Sequence, residues 1–166
     1  MSERSLTVTA AGPEDLPAIH AMIRDLARYE RLEHLHTGSL EQLGAALFGP
    51  EPVAEVLIGR IDGEIGGFAL FFHNFSTFLA RPGLWLEDLF VDPSYRGQGL
   101  GKALLVALAG LARERGCGRF EWAVLDWNAP AIGFYETLGA TVMPDWRIAR
   151  VAGPALEALA RRGDPD

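Results

Sequence analysis

Three glycines at alternate positions separate an apolar strand-like segment from a long helical one, in the stretch VDPSYRGQGLGKALL, residues 91–105. Glycine is costly to order, so such a cluster usually serves a backbone conformation that side chains would prevent. At the start of a helix, a turn of this kind directs successive backbone N–H groups outward, at the positive end of the helix dipole. The stretch therefore predicts either an anion-binding turn or a glycine-rich connector without a ligand.

Two familiar phosphate-binding motifs do not fit this stretch. The Walker A pattern needs a glycine where Arg96 stands and a hydroxyl residue where Ala103 stands. The dinucleotide pattern G-x-G-x-x-G is one residue longer than the segment from Gly97 to Gly101, and no early βαβ unit precedes it. What remains is R-x-x-G-x-G, with Arg96 and Lys102 supplying positive charge for a diphosphate.

The pattern of apolar residues predicts a mixed α/β chain in a single domain over residues 1–166. Two β-type runs meet at Asp62-Gly63, a dipeptide typical of tight hairpins. Strands are expected at residues 5–10, 53–61, 64–72, 84–91, 119–127 and 145–151, and helices at 12–33, 39–49, 100–116, 128–139 and 154–162, with a loop at 73–83. The early strands should be antiparallel, and the two strands joined by the long helix should be parallel.

Charge and composition narrow the class of protein. The net charge of −7 disfavours binding to nucleic-acid phosphates and suits the attraction of small cations. No apolar run approaches the ~20 residues of a membrane span, and the first residues lack the apolar stretch of a signal peptide. Neither the single cysteine, Cys117, nor the four histidines form a metal-binding motif. We expect a soluble, cytoplasmic protein with no metal, no nucleic-acid partner and no membrane partner.

The segment from Arg96 to Gly101 resembles motif A of the GNAT superfamily of acyl-CoA-dependent N-acetyltransferases, in which it binds the coenzyme A pyrophosphate. The strand before it ends in Val91-Asp92-Pro93, like the family's V-x-P. Residues 121–140, EWAVLDWNAPAIGFYETLGA, resemble the downstream motif in which an asparagine opens a helix that carries a tyrosine. The resemblance extends from the first strand to Val151. It implies a GNAT fold, with a central, mixed, mostly antiparallel sheet flanked by helices and one parallel strand pair splayed around the acyl-CoA site.

The same resemblance implies acetyl-CoA as the acetyl donor. Backbone amides of Leu89 and Val91 would hold the acetyl and pantetheine groups, and the glycine turn would hold the pyrophosphate. The full set of implied donor-site residues is Leu89, Phe90, Val91, Arg96, Gly97, Gln98, Gly99, Leu100, Gly101, Lys102, Asn128 and Ala131.

Acetyl transfer to an amine needs a base for the amine proton, donors for the oxyanion and an acid for the departing thiolate. Tyr135 stands where the family places its thiolate-facing tyrosine, and a phenol can protonate a thiolate. Strict alternation in LWLEDLFV, residues 84–91, predicts that Glu87 and Asp88 point to opposite faces of the strand. The resemblance favours Glu87 as the amine-side carboxylate, acting through water, with Asp88 as the alternative.

Several short segments resemble more particularly the spermidine/spermine (diamine) N-acetyltransferase family. They are YERLE at residues 29–33, WLEDLFV at 85–91, YRGQGLG at 95–101, the stretch 121–135, and a late Asp-Trp pair at 145–146. Carboxylates and aromatic faces suit a chain of methylenes between ammonium groups. The acceptor channel implied by this resemblance is lined by Tyr29, Glu30, Glu87, Glu121, Trp122, Ala123 and Asp145.

Some positions depart from that family's pattern. Glu121 and Trp122 replace other residue types, and Asp145 stands one residue short of an acidic pair. The expected acceptor is a small polyamine or diamine, and thialysine or another small amine or amino acid is the alternative. A non-catalytic acyl-CoA-binding module is a further alternative. The resemblance also implies a homodimer, with the C-terminal strand and tail helix near the interface.

Overall fold

The computed structural model describes residues 4–163, which divide into two compact units, residues 4–123 and 124–163. The first contains β1 (Leu6–Ala10), α1 (Leu16–Tyr29), α2 (Leu40–Phe48), β2 (Glu55–Ile61), β3 (Glu64–Ser76), β4 (Arg81–Val91), α3 (Leu100–Glu114) and β5 (Phe120–Trp122). The second contains α4 (Ala129–Thr137) and α5 (Gly153–Ala160). The single domain over residues 1–166 stays a prediction. Across residues 4–163, no helix combines the length and the apolarity that crossing a membrane requires.

The five strands form one sheet in the order β1-β2-β3-β4-β5. All neighbouring strands are antiparallel except β4 and β5, which are parallel and joined by α3. The hairpin between β2 and β3 turns at Asp62 and Gly63, whose φ angles of 53° and 87° are the left-handed values of a type I′ turn. The mixed α/β class, the antiparallel early strands and the parallel pair are thus confirmed.

The structure corrects the predicted strands in three places. The segment 73–83, predicted as a loop, continues β3 to Ser76 and begins β4 at Arg81. Only Phe120–Trp122 forms a strand within the segment 119–127. The strand predicted at 145–151 is absent, because residues 124–163 contain no other strand that could supply its hydrogen-bonding partners.

Helices cover both faces of the sheet. On one face, α1 and α2 pack against β2, β3 and β4 through a core of Ile19, Met22, Leu26, Leu47, Val56, Ile58, Phe68, Leu70 and Phe90. On the other face lies α3, whose Leu100 is almost fully buried. A Cβ at Gly59 would lie 2.6 Å from the Leu100 side chain, so the missing side chain lets α3 begin close to the sheet. This close packing sets the start of α3 beside the end of β4.

A buried ion pair fixes the beginning of α1 against the sheet. The Asp15 carboxylate, 5% exposed, accepts hydrogen bonds from Arg60 Nη2 at 2.7 Å and from the Gly12 N–H at 3.0 Å. Arg60 Nη1 also donates to Thr9 Oγ1 on β1 at 3.0 Å. This network joins the start of α1 to β1 and β2.

We expect Asp15→Ala to lower the free energy of unfolding by about 2–3 kcal/mol, because it leaves the largely buried Arg60 without its carboxylate. Urea denaturation measures the change. Asp25→Ala on the same helix is the matched control. It removes an exposed pair with Arg28 and should cost less than about 0.5 kcal/mol. Equal losses for the two variants would contradict the role given to the Asp15 pair.

Candidate active site

A β-bulge in β4 decides where its carboxylates point. Leu70 of β3 lies opposite Asp88, but the next residue of β3, Phe71, lies opposite Leu86. Glu87 is therefore the extra residue of β4 at this point. A bulge of this kind breaks the two-residue alternation of side chains along the strand.

The bulge brings both carboxylates of β4 to the face covered by α1. Asp88 shares the face of its partner Leu70 and of Phe90, both of which belong to the core beneath α1. Leu86 lies on the face away from α1, so the next residue, Glu87, lies on the α1 face. The prediction that Glu87 and Asp88 point to opposite faces is therefore wrong, since it assumed a strand without a bulge.

The bulge also reorients the backbone at the end of β4. The Asp92 N–H donates to Gly66 O of β3 at 2.9 Å, so alternation directs the N–H groups of Val91 and Leu89 away from β3, towards β5. Within residues 4–163, however, the ladder between β4 and β5 covers only Leu84–Leu86. The N–H groups of Leu89 and Val91 thus face an edge of β4 that β5 leaves open.

Three carboxylates meet on the α1 face: Glu30 at the end of α1, and Glu87 and Asp88 of β4. Burial, with the nearby negative charges of Glu87 and Glu30, raises the pKa of Asp88 to about 7. Burial and the charge of Glu87 also raise the pKa of Glu30 above its usual value. A bound cation would favour the ionised forms. The three groups, called the carboxylate trio below, are suited to a cationic ligand.

Trp85 orients the exposed member of the trio. Its indole Nε1 donates to Glu87 Oε2 at 2.9 Å, which restricts a side chain that is otherwise exposed. Sequence reasoning missed this contact. A tryptophan and a glutamate two residues apart on one strand are the signal that could have found it.

The remaining predicted acceptor residues are placed as follows. On β5, Glu121 lies opposite Trp85 and forms an ion pair with Arg119, with Nε and Oε1 2.7 Å apart. Trp122 lies opposite Leu86, on the other face of the sheet, and exposed Ala123 follows it.

The glycine turn has the backbone that its sequence indicates. Gly97 and Gly99 have φ angles of 73° and 86°, in the left-handed region that residues with a Cβ rarely adopt. Gly99 is the N-cap of α3, so the first N–H groups of that helix point outward with exposed Lys102 beside them. Gln98 donates to Ser94 O at 3.2 Å. These donors and cations fit a diphosphate.

Arg96 lies beside the glycine turn on the α1 side of β4. Its Nε donates to Val91 O at 2.9 Å, and its guanidinium carbon lies 5.4 Å from the centre of the Tyr29 ring. A cavity of about 400 Å³ adjoins it, lined by Asp25, Tyr29, Phe90, Asp92, Pro93, Ser94 and Arg96. Tyr29, predicted to bind the acceptor, thus faces Arg96.

Residues 124–163 carry the other predicted site residues. Asn128 Oδ1 accepts from the Ala131 N–H at 3.4 Å, so Asn128 caps α4 as its position predicts. Tyr135 lies on α4, and its ring centre is 5.7 Å from that of Phe134. Asp145 is exposed in the irregular segment between α4 and α5.

Comparisons with known proteins show which family the chain belongs to. The model of the Acetyltransferase (GNAT) family matches residues 19–140. An L-ornithine N5-acetyltransferase from Arabidopsis thaliana is 34% identical, over 92% of this chain and 86% of that protein. A thialysine N-epsilon-acetyltransferase from Sus scrofa is 38% identical, over 94% of this chain and 98% of that protein. A human spermidine/spermine N(1)-acetyltransferase-like protein is 27% identical, over 76% of this chain and 19% of that protein.

A solved structure extends the agreement to the fold. An integron cassette protein from the mobile metagenome of V. cholerae superposes with a TM-score of 0.79 at 25% identity, covering 95% of this chain and 98% of that one. The family match spans most of the chain, and two relatives above 30% identity span nearly all of it. The chain therefore belongs to the GNAT family and is an N-acetyltransferase.

Proposed function

We propose that the protein transfers the acetyl group of acetyl-CoA to a terminal primary amine of a small diamine. Diamino acids of the ornithine and thialysine type are the first acceptor class, and spermidine-type polyamines are the second. The carboxylate trio of Glu30, Glu87 and Asp88 carries this proposal, because it can hold an ammonium group. Relatives named for ornithine and thialysine match nearly the whole chain, which favours the first class.

The donor half is assigned to the open edge of β4 and to the glycine turn. The Leu89 N–H would bind the thioester oxygen, and Val91 would pair with the pantetheine amides. Arg96, Lys102 and the N–H groups at the start of α3 would contact the pyrophosphate. The proposal retains the other donor-site residues that the resemblance implies: Phe90, Gln98, Leu100, Asn128 and Ala131.

The acceptor half is assigned to the carboxylate trio. The ammonium group binds Glu87, which Trp85 orients, and loses a proton to Asp88. With a pKa of about 7, Asp88 is a better match to an amine at neutral pH than an ordinary carboxyl group. Glu87, which the resemblance implies as the base, and Asp88, its alternative, thereby take separate roles.

Group transfer follows by direct attack. The neutral amine attacks the thioester carbonyl, the new C–N bond forms, and the C–S bond breaks. Tyr135 donates its phenolic proton to the departing thiolate. The second amine proton leaves as the tetrahedral intermediate collapses and restores the Tyr135 phenol through water. The products are the acetylated amine and the coenzyme A thiol.

We extend the proposal to a homodimer in the cytoplasm, as the family resemblance implies. The segment predicted as a C-terminal strand supports the dimer. Its Trp146 and Ile148 are 78% and 67% exposed, and exposed apolar surface of this kind marks interaction sites.

The test of function is a mass-spectrometric screen of amines with acetyl-CoA: ornithine, thialysine, lysine, putrescine, spermidine and propylamine. We expect acetylation of diamines at least tenfold more efficiently than of propylamine, because only a diamine presents a second cation to the trio. Glu30→Gln should raise the KM for diamines, and Glu33→Gln, an exposed neighbour, should not. Acetyl-CoA binding without acetylation of any amine would leave the non-catalytic module as the better reading.

Asp88→Asn should change both stability and rate as functions of pH. The folded-state pKa of about 7 exceeds the ordinary value of 3.8, so the folded protein binds more protons than the unfolded chain between these values. The contribution of Asp88 to wild-type stability should therefore fall as pH rises from about 4 to 7, and Asp88→Asn should remove this contribution. At pH 8 the variant should be more stable by on the order of 2 kcal/mol in urea denaturation.

The same variant should gain stability at high pH but lose activity there. The wild-type kcat/KM should rise through an apparent pKa near that of Asp88, and Asp88→Asn should abolish this rise. An unchanged profile in Asp88→Asn, with its loss in Glu87→Gln, would return the base to Glu87.

Tyr135→Phe should lower kcat by about 100-fold or more, because the thiolate then leaves without its proton donor. Single-turnover kinetics give the rate, and calorimetry should show coenzyme A binding close to wild type. Tyr95→Phe is the control and should match wild type in both measurements. Unchanged acetylation by Tyr135→Phe would overturn the assignment of the acid alone.

A further inference from the structure

The guanidinium of Arg96 lies close to two aromatic rings. Its central carbon is 5.4 Å from the ring centre of Tyr29 on α1 and 5.8 Å from that of Phe90 on β4, both within the range of cation–π attraction. The hydrogen bond from Nε to Val91 O fixes the inner edge of the group. Three contacts from two elements thus hold a side chain that begins on an exposed turn.

None of these contacts is a hydrogen bond from the terminal nitrogens of the guanidinium. Within the described part of the chain, Nη1 and Nη2 of Arg96 donate to no protein acceptor. The nearby carboxylate of Asp92 accepts from the Ser94 N–H at 2.8 Å, and among the described residues it forms no hydrogen bond or ion pair with Arg96. Arginine presents its terminal nitrogens as a planar fork that matches phosphate oxygens in pairs. The fork is therefore available beside the glycine turn, where Gly97 and Gly99 direct N–H groups outward.

We propose that Tyr29 is a positioning residue of the donor site, which holds Arg96 as a preformed fork for the diphosphate of acetyl-CoA. The inference rests on the proposed function and goes beyond the acceptor role that the resemblance implies for Tyr29. An arginine that is already held loses less side-chain freedom when it binds, so its contact with the diphosphate contributes more affinity.

Of the two aromatic residues beside Arg96, Tyr29 can be substituted without disturbing the core. Phe90 is buried among the core residues beneath α1, whereas Tyr29 is 45% exposed at the end of its helix. Its neighbour Glu30 belongs to the carboxylate trio. The last turn of α1 therefore contributes one residue to each half of the site.

The experiment measures the Kd of coenzyme A by calorimetry for wild type, Tyr29→Leu and Tyr29→Phe, each with Arg96 and with Arg96→Gln. We expect Tyr29→Leu to weaken binding by about two- to fivefold, the effect of losing one cation–π contact. Tyr29→Phe keeps an aromatic face and should bind as wild type does. With Arg96→Gln present, Tyr29→Leu should have no further effect. Pantetheine, which lacks the diphosphate, should bind wild type and Tyr29→Leu equally in an NMR titration.

The outcomes separate this inference from the proposed function. If wild type does not bind coenzyme A, the proposed function fails. If wild type binds and Tyr29→Leu binds equally well, the positioning role is overturned and the proposed function stands. Weakening of the same size in the Arg96→Gln background would also overturn it, because Tyr29 would then act without Arg96. Circular dichroism melts verify that each variant is folded.

Discussion

One extra residue in β4 organises the whole candidate site. The bulge at Glu87 turns both carboxylates of the strand towards α1, and it also directs the N–H groups of Leu89 and Val91 to the edge that β5 leaves open. Without the bulge, the strand could not have both carboxylates on the α1 face and these N–H groups at the open edge, because side chains and N–H groups alternate with the same period. The acceptor and donor halves can therefore lie along consecutive residues of a single strand.

The position of α1 is the second requirement of the site. Its beginning is held by the Asp15–Arg60 ion pair, and its end supplies Tyr29 and Glu30. Bringing Glu30 to the carboxylates of β4 concentrates negative charge in a partly buried place, and this raises the pKa of Asp88 to about 7. Crowded negative charge disfavours ionisation of these carboxyl groups, and a bound cation would relieve it, which is why a cationic acceptor is proposed.

Features that depend on neighbouring residues were predictable from the sequence. The turn at Asp62-Gly63, the Asn128 cap and the glycine turn are all present. Each is determined by hydrogen bonds or φ angles within about four residues, so its sequence signature is nearly complete. The glycine turn could be predicted for this reason. The parallel strand pair was predictable for another reason, since two strands joined by a helical crossover run in the same direction.

Features that depend on strand register or on distant partners required the folded chain. No local pattern marks Glu87 as the bulged residue, since the bulge exists only relative to β3. The length of β5 and the absence of a strand at 145–151 likewise depend on which strands are available to pair. Tyr29 and Arg96 are 67 positions apart in the chain, and they come into contact because α1 packs across β4. Local interactions in the sequence determined the turns, caps and helices. Long-range packing determined which side chains share the site, because such contacts form only when the sheet and helices have assembled.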